Sequence, residues 1–145
     1  MKAAAKENGM SIEILLVEDS PGDVRLTQEV FRDANSLIRL HVASDGVEAM
    51  AFLRREGLHM RAPRPDLVLL DVNLPDTSGL DVLRALKQIP ETKSIPVVVT
   101  SADATEKLIR TMLAEGAVEY LTKPLDVARI FQVIDENLTT EPKVA

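Results

Sequence analysis

The sequence predicts an α/β fold: a doubly wound, five-stranded parallel sheet of strand order 2-1-3-4-5, with helices on both faces. Three observations lead there. Short apolar runs alternate with amphipathic segments five times, the pattern of a parallel sheet covered on both sides. Leu67–Leu70 and Val97–Val99 are continuously apolar, as strands buried on both faces are. Ile38–Ala43 instead alternates, with Arg39 and His41 on one side, as an edge strand does. The order 2-1-3-4-5 puts the second strand at an edge. It also makes the carboxyl ends of the first and third strands the switch point where such sheets bind ligands.

Taken in order, the first strand is expected over Ile12–Val17. The first helix starts at Ser20-Pro21, a capping residue before a helix-starting proline, and carries Val24, Thr27, Val30, Phe31 and Ala34 at helical spacing. After the second strand, Ile38–Ala43, Asp45 is a cap candidate for a helix bearing Val47, Met50, Ala51 and Phe52. Arg61–Pro65 holds two prolines and reads as a loop. The third strand, Leu67–Leu70, leads through Ser78-Gly79 to a helix with Val82, Leu83, Leu86 and Ile89. The fourth strand is expected over Pro96–Val99. Asp103 is a cap candidate for the next helix, which carries Leu108, Ile109, Met112 and Leu113 and ends before Gly116. The fifth strand, Val118–Leu121, precedes a helix with Val127, Ile130, Phe131, Ile134 and Leu138.

A chain of 145 residues suits one domain, expected over 11–138, with frayed tails at 1–10 and 139–145. Hydrophobic residues at 46% and charged residues at 28% place it among soluble globular domains. No apolar run approaches the ~20 residues of a membrane span. Met1–Met10 carries Lys2 and Lys6 but no apolar stretch, unlike a secretory signal. The lack of cysteine excludes disulfides and thiolate metal sites, and a cytoplasmic location is expected. A net charge of −6 and few aromatic residues argue against direct nucleic-acid binding. The nearest thing to a basic cluster is Arg54, Arg55, Arg61 and Arg64.

The chemistry is expected at the strand ends. Glu18 and Asp19 follow the first strand, and Asp71 follows the third. Any one of them alone is ordinarily a turn or cap residue. At one switch point they become three mutually repelling carboxylates, each resisting ionisation. A divalent cation resolves the repulsion, and oxygen-only ligands favour Mg²⁺ (or Mn²⁺). Lys123 after the fifth strand is a surface lysine, or an ammonium reaching into the acidic cluster. Ser101 after the fourth strand is a helix cap, or a hydroxyl donor to an anion. Tyr120, the single tyrosine, reads first as packing. Leu108, Met112 and Val133 are core residues or interface residues.

Glu18-Asp19, Asp71-Val72-Asn73-Leu74-Pro75, Ser101-Ala102 and Lys123-Pro124, in this order at successive strand ends, together resemble the receiver domains of bacterial response regulators. The resemblance covers about residues 11–138 and implies the flavodoxin-like (βα)5 fold. It implies that Asp71 is the phosphoacceptor, that Asp19 binds the metal directly and Glu18 through water, and that Asn73 supplies a backbone carbonyl. It implies that Lys123 contacts the phosphoryl group and that the Lys123–Pro124 bond is cis. Ser101 falls at the family's switch hydroxyl and Tyr120 at its aromatic switch position. Thr100 competes with Ser101, since alternation lets one of them face the pocket; the spacing to Asp71 and Lys123 favours Ser101. Glu18–Leu26 and the Arg61–Pro65 insertion are similar to small single-domain receivers that partner phytochrome kinases. Asp76–Leu80 lacks that group's basic residues, and Ser101–Thr105 and Tyr120–Asp126 look more like receivers of hybrid kinases.

The resemblance implies a single-domain response regulator that takes a phosphoryl group from a histidine kinase or phosphotransfer protein. It catalyses its own phosphorylation and slow autodephosphorylation rather than turning over a substrate. It then signals to a downstream protein through the face made by the fourth helix, fifth strand and fifth helix. A homodimer stays open. The alternative is a pseudo-receiver, a binding module independent of phosphorylation; such proteins lack part of the acidic set or the lysine. A haloacid-dehalogenase-type phosphatase wants an acid where Asn73 stands. A flavodoxin wants a hydroxyl-rich loop where Glu18–Asp23 stands.

Overall fold

The computed structural model describes residues 11–34 and 37–137. The expected tails, 1–10 and 139–145, and Leu138 lie outside them. The strands are β1 (Ile12–Val17), β2 (Ile38–Ala43), β3 (Leu67–Asp71), β4 (Val97–Ser101) and β5 (Glu119–Thr122). They form one sheet of order β2-β1-β3-β4-β5, with every neighbouring pair parallel. The helices are α1 (Pro21–Ala34), α2 (Gly46–Arg54), α3 (Gly79–Gln88), α4 (Glu106–Ala114) and α5 (Val127–Asn137), with a 3-10 turn at Gly57–His59.

The predicted order therefore holds, with small shifts in boundary. Asp71 and Ser101 are the last residues of their strands rather than the first residues after them. The register explains this: Asp71 pairs with Thr100, and Ser101 with Thr122. Alternation along the buried strands divides the core in two. Leu15, Val17, Val68, Leu70, Val97 and Val99 pack under α2, α3 and α4. Ile14, Leu16, Leu67, Leu69 and Val98 pack against α1 and α5, where Phe31 meets Phe131 edge-on at 5.7 Å. Met112 and Val133 belong to these cores, and Leu108 packs partly buried against the first.

The helix starts follow local chemistry. Ser78 caps α3 through the Asp81 amide, and Asp45 caps α2 through the Glu48 amide. Asp103 does not cap α4. It lies two residues too early and accepts from the Thr105 amide in a local turn, which leaves Thr105 as the capping position. Beyond α4, Gly116 takes φ +114° while the Ala117 amide reaches back to the Met112 carbonyl, closing the helix.

One buried acid interrupts the apolar β1. Glu13 lies where β1 meets the edge strand, 2.6 Å from His41 Nε2, and accepts from the Ser11 hydroxyl, with Arg39 at 3.7 Å. Burial pushes its carboxyl upward, but these partners outweigh it and hold it below its ordinary value.

Candidate functional site

The carboxyl ends of β1, β3, β4 and β5 lie side by side at one edge of the sheet. That geometry brings residues far apart in sequence within hydrogen-bonding distance. Lys123 Nζ donates to Asp71 Oδ2 at 2.9 Å, to Glu18 Oε1 at 2.6 Å and to Asp23 Oδ2 at 2.9 Å. Asp71 is buried, and its other oxygen, Oδ1, accepts from the Asn73 amide at 3.0 Å. Glu18 Oε2 accepts from the Ser20 amide. Carboxylate oxygens of Glu18, Asp19 and Asp71 come within 4.8 Å of one another, with Asp19 exposed and the other two buried.

The backbone around Asp71 is close-packed. The Gly79 amide donates to the Val72 carbonyl at 2.7 Å, and Asn73 bridges to Ser78 across the β3–α3 loop. A Cβ on Gly79 would stand 2.5 Å from the Asp71 carbonyl oxygen and 2.8 Å from Val72 Cα, so glycine lets α3 start against the strand end. Asp76 ties the same loop to α2, accepting from the Gly46 and Val47 amides at 2.8 and 2.9 Å; these hold its carboxyl below the ordinary range.

The electrostatics are lopsided. Burial first, then the nearby Asp71, pushes the Glu18 carboxyl up to about 7, although Lys123 opposes the rise. Burial alone would lower the Lys123 ammonium; Glu18, Asp23 and Asp71 outweigh it and hold the group protonated, above its ordinary value. One ammonium thus faces Glu18, Asp23 and Asp71, with Asp19 beside them. The all-oxygen donor set, an exposed Asp19 and the reluctance of Glu18 to ionise fit a hard divalent cation.

Both candidate hydroxyls are buried but point differently. Thr100 lines a cavity of about 190 Å³ with Glu18, Asp23 and Lys123. Ser101, on the opposite face by strand alternation, accepts from the Asp103 amide at 2.9 Å, and its carbonyl accepts from the Lys123 amide. Tyr120 OH donates to the Asp103 carbonyl, so Ser101 and Tyr120 hold one loop residue from both sides. The Lys123–Pro124 peptide bond is cis. Asp23 was not among the expected site residues. In the first turn of α1 it reads as an acid suited to a helix N-terminus, and only the packing of α1 beside α5 on one face of the sheet brings it to Lys123.

Comparison with known proteins agrees with this geometry. The family model for the response regulator receiver domain matches residues 14–135. The chain is 41% identical over 121 residues to response regulator Rcp1 of Synechocystis sp., covering 83% of this chain and 82% of that protein. The crystal structure of the Mn(2+)-bound form of response regulator Rcp1 superposes with TM-score 0.74 at 40% identity, over 86% of this chain and 90% of that one. The phosphorylated cyanobacterial phytochrome response regulator RcpA superposes with TM-score 0.78 at 37% identity, over 93% and 99% of the two chains.

Proposed function

The chain belongs to the response regulator receiver domain family, and on that premise we propose that Asp71 accepts a phosphoryl group from a histidine kinase or phosphotransfer protein. The observation that carries the proposal is the bonding of Asp71 itself. One carboxylate oxygen is fixed by the Asn73 amide and the other by the Lys123 ammonium, with two further acids alongside.

An Asp71 oxygen attacks phosphorus of a phosphohistidine. The new P–O bond forms as the P–N bond breaks, and the imidazole nitrogen leaves with the electron pair. Lys123 stands where it can follow the transferring group and offset charge on its oxygens, so that positioning and electrostatics do most of the work. Asp19, Asp71, the Asn73 carbonyl and, through water, Glu18 would hold Mg²⁺ or Mn²⁺, which when bound supplies further positive charge beside the phosphoryl oxygens. Mn(2+) in Rcp1 supports that choice of ion.

The acyl phosphate adds acceptor oxygens at the end of β3. Ser101, which accepts from the Asp103 amide, then donates its hydroxyl proton to one of them, and as the hydroxyl turns the loop shifts and Tyr120 loses its partner on Asp103. The loop before α4 is thereby coupled to the phosphate, and α4, β5 and α5 carry the change to a downstream protein. A cytoplasmic location and self-catalysed dephosphorylation belong to this reading. Incubation with a phosphorylated histidine kinase domain and Mg²⁺ tests it. The wild type should take up label and Asp71→Asn none; labelling of Asp71→Asn would overturn the assignment. A phosphorylation-independent module is the poorer reading, because the acids and the lysine are all present, with Lys123 bonded to Glu18 and Asp71 and Asp19 beside them.

A further inference from the structure

The arginines flagged by the sequence make none of the contacts around Asp71, and the receiver chemistry leaves them unused. Arg54, Arg55, Arg61 and Arg64 are all exposed, and none has an ion-pair partner among the described residues. Arg39, Arg84, Arg110 and Arg129 each reach a carboxylate, whereas the exposed Arg25 on α1 has no ion-pair partner among the described residues either; what distinguishes the first set is that three of them share one groove. Arg54, Arg55 and Arg64 line one groove of about 560 Å³ between the ends of α2 and α3. Its floor is apolar, with Leu53, Ile89 and Ile95, and Glu91 is the one acid on its lining. The turn between Arg55 and Arg61 presents Leu58, wholly exposed, and Met60, 70% exposed.

Arg55 itself is informative. It ends α2 at φ +57°, ψ +49°, a left-handed conformation that glycine adopts without strain and a side chain does not. Local backbone chemistry therefore favours glycine there, and the chain carries a guanidinium on the groove instead.

We propose that this groove docks a protein segment in which acidic residues are interleaved with apolar ones. Guanidinium forks match carboxylates, and the apolar floor accommodates the residues between them, with Leu58 and Met60 exposed on the adjoining turn. The net charge of −6 selects the size of the partner. With screening over roughly 8 Å at physiological salt, a short acidic segment meets chiefly the local arginines, with Glu91 and Glu56 as the acids nearest them. A nucleic acid or an anionic membrane would face the acidic remainder too, and Phe31, Phe52 and Phe131 are buried, offering no surface for bases to stack on.

The test titrates the full chain with a short labelled peptide alternating glutamate and leucine. Controls are its lysine-for-glutamate counterpart, a single-stranded oligonucleotide and phosphatidylglycerol vesicles. The expected result is saturable binding of the acidic peptide alone, with backbone amide shifts confined to 53–64 and 89–95. Arg55→Gly and Arg64→Ala should each weaken it at least about fivefold, roughly one charged contact. Arg55→Gly should keep or raise the melting temperature, and both variants should keep phosphoryl uptake at Asp71, so lost binding cannot be lost folding. Absence of saturable binding, unchanged affinity in both variants, or equal binding of the oligonucleotide or vesicles would overturn the proposal. So would peptide-induced shifts outside that groove.

Discussion

Replacing Asp71 with asparagine should make the metal-free protein more stable while abolishing its chemistry. Lys123 faces three carboxylates at 2.6–2.9 Å, two of them buried. Asparagine keeps an oxygen for the Asn73 amide or Lys123 but removes one negative charge. The rise of Glu18 from 4.5 to about 7 bounds the conflict. At about 1.4 kcal/mol per unit this corresponds to roughly 3 kcal/mol, of which burial is the largest cause and Asp71 a lesser one. The weakened Lys123–Asp71 pair offsets part of the relief, which leaves about 1 kcal/mol or less released, a rise of at most about 2–4 °C in melting temperature for a chain of this size. The pH dependence has a definite sign. A carboxyl raised in the folded state binds more protons there than when unfolded between pH 4.5 and about 7, so the wild type loses stability as pH rises through that window. Asp71→Asn should flatten that slope. Saturating Mg²⁺ should stabilise the wild type, by about 2.7 kcal/mol at a hundredfold excess over Kd, and the variant less. Chemical denaturation at pH 5 and pH 8, with and without Mg²⁺, measures all of this. A variant less stable than wild type at pH 8 without metal, or one that gains as much from Mg²⁺, would refute the reasoning.

Asp19→Asn removes an exposed acid with no hydrogen-bond partner among the described residues, so Mg²⁺ affinity should fall at least about tenfold with the unfolding midpoint nearly unchanged; isothermal titration and denaturation read the two separately. Gly79→Ala forces a methyl against the Asp71 carbonyl and Val72, and should cost about 1–3 kcal/mol while slowing phosphoryl uptake; equilibrium unfolding beside a phosphorylation time course checks both. Glu13 is held below its ordinary value when folded, so its contribution is fully present above about pH 4.5 and disappears as the pH falls through its folded value. Glu13→Gln should therefore lose about 1–3 kcal/mol at pH 7 and show a shallower acid limb in pH-dependent unfolding.

The strand order and the cluster of Glu18, Asp19, Asp71 and Lys123 were legible because each depends on a local signal repeated at successive strand ends. Continuous apolar runs marked β3 and β4 as central, and the register then fixed where Asp71 had to lie. Asp23 was not legible, because its neighbour Lys123 is 100 residues away and the contact depends on how α1 lies over the sheet. Glu13 escaped for a related reason: its partners, His41 and Arg39, come from the adjacent edge strand. Asp76 had no role legible in the sequence; the fold places it on the first amides of α2, 29 and 30 residues away. Asp103 was misplaced as a cap because spacing alone cannot tell a turn that precedes a helix from the cap itself. Ser101 keeps the expected spacing, yet alternation gives the cavity beside Lys123 to Thr100; Ser101 Oγ accepts from the Asp103 amide, which leaves its hydroxyl proton to donate to a phosphoryl oxygen.

The central claim is that Asp71 becomes an acyl phosphate. Borohydride reduces an aspartyl phosphate to homoserine, which marks the residue that carried it. After treatment with acetyl phosphate and Mg²⁺, followed by borohydride and peptide mass mapping, homoserine should appear at position 71. It should be absent without Mg²⁺ and in Lys123→Ala at early times. Homoserine at any other acid, or none at 71 under conditions that label a known receiver, would contradict the account.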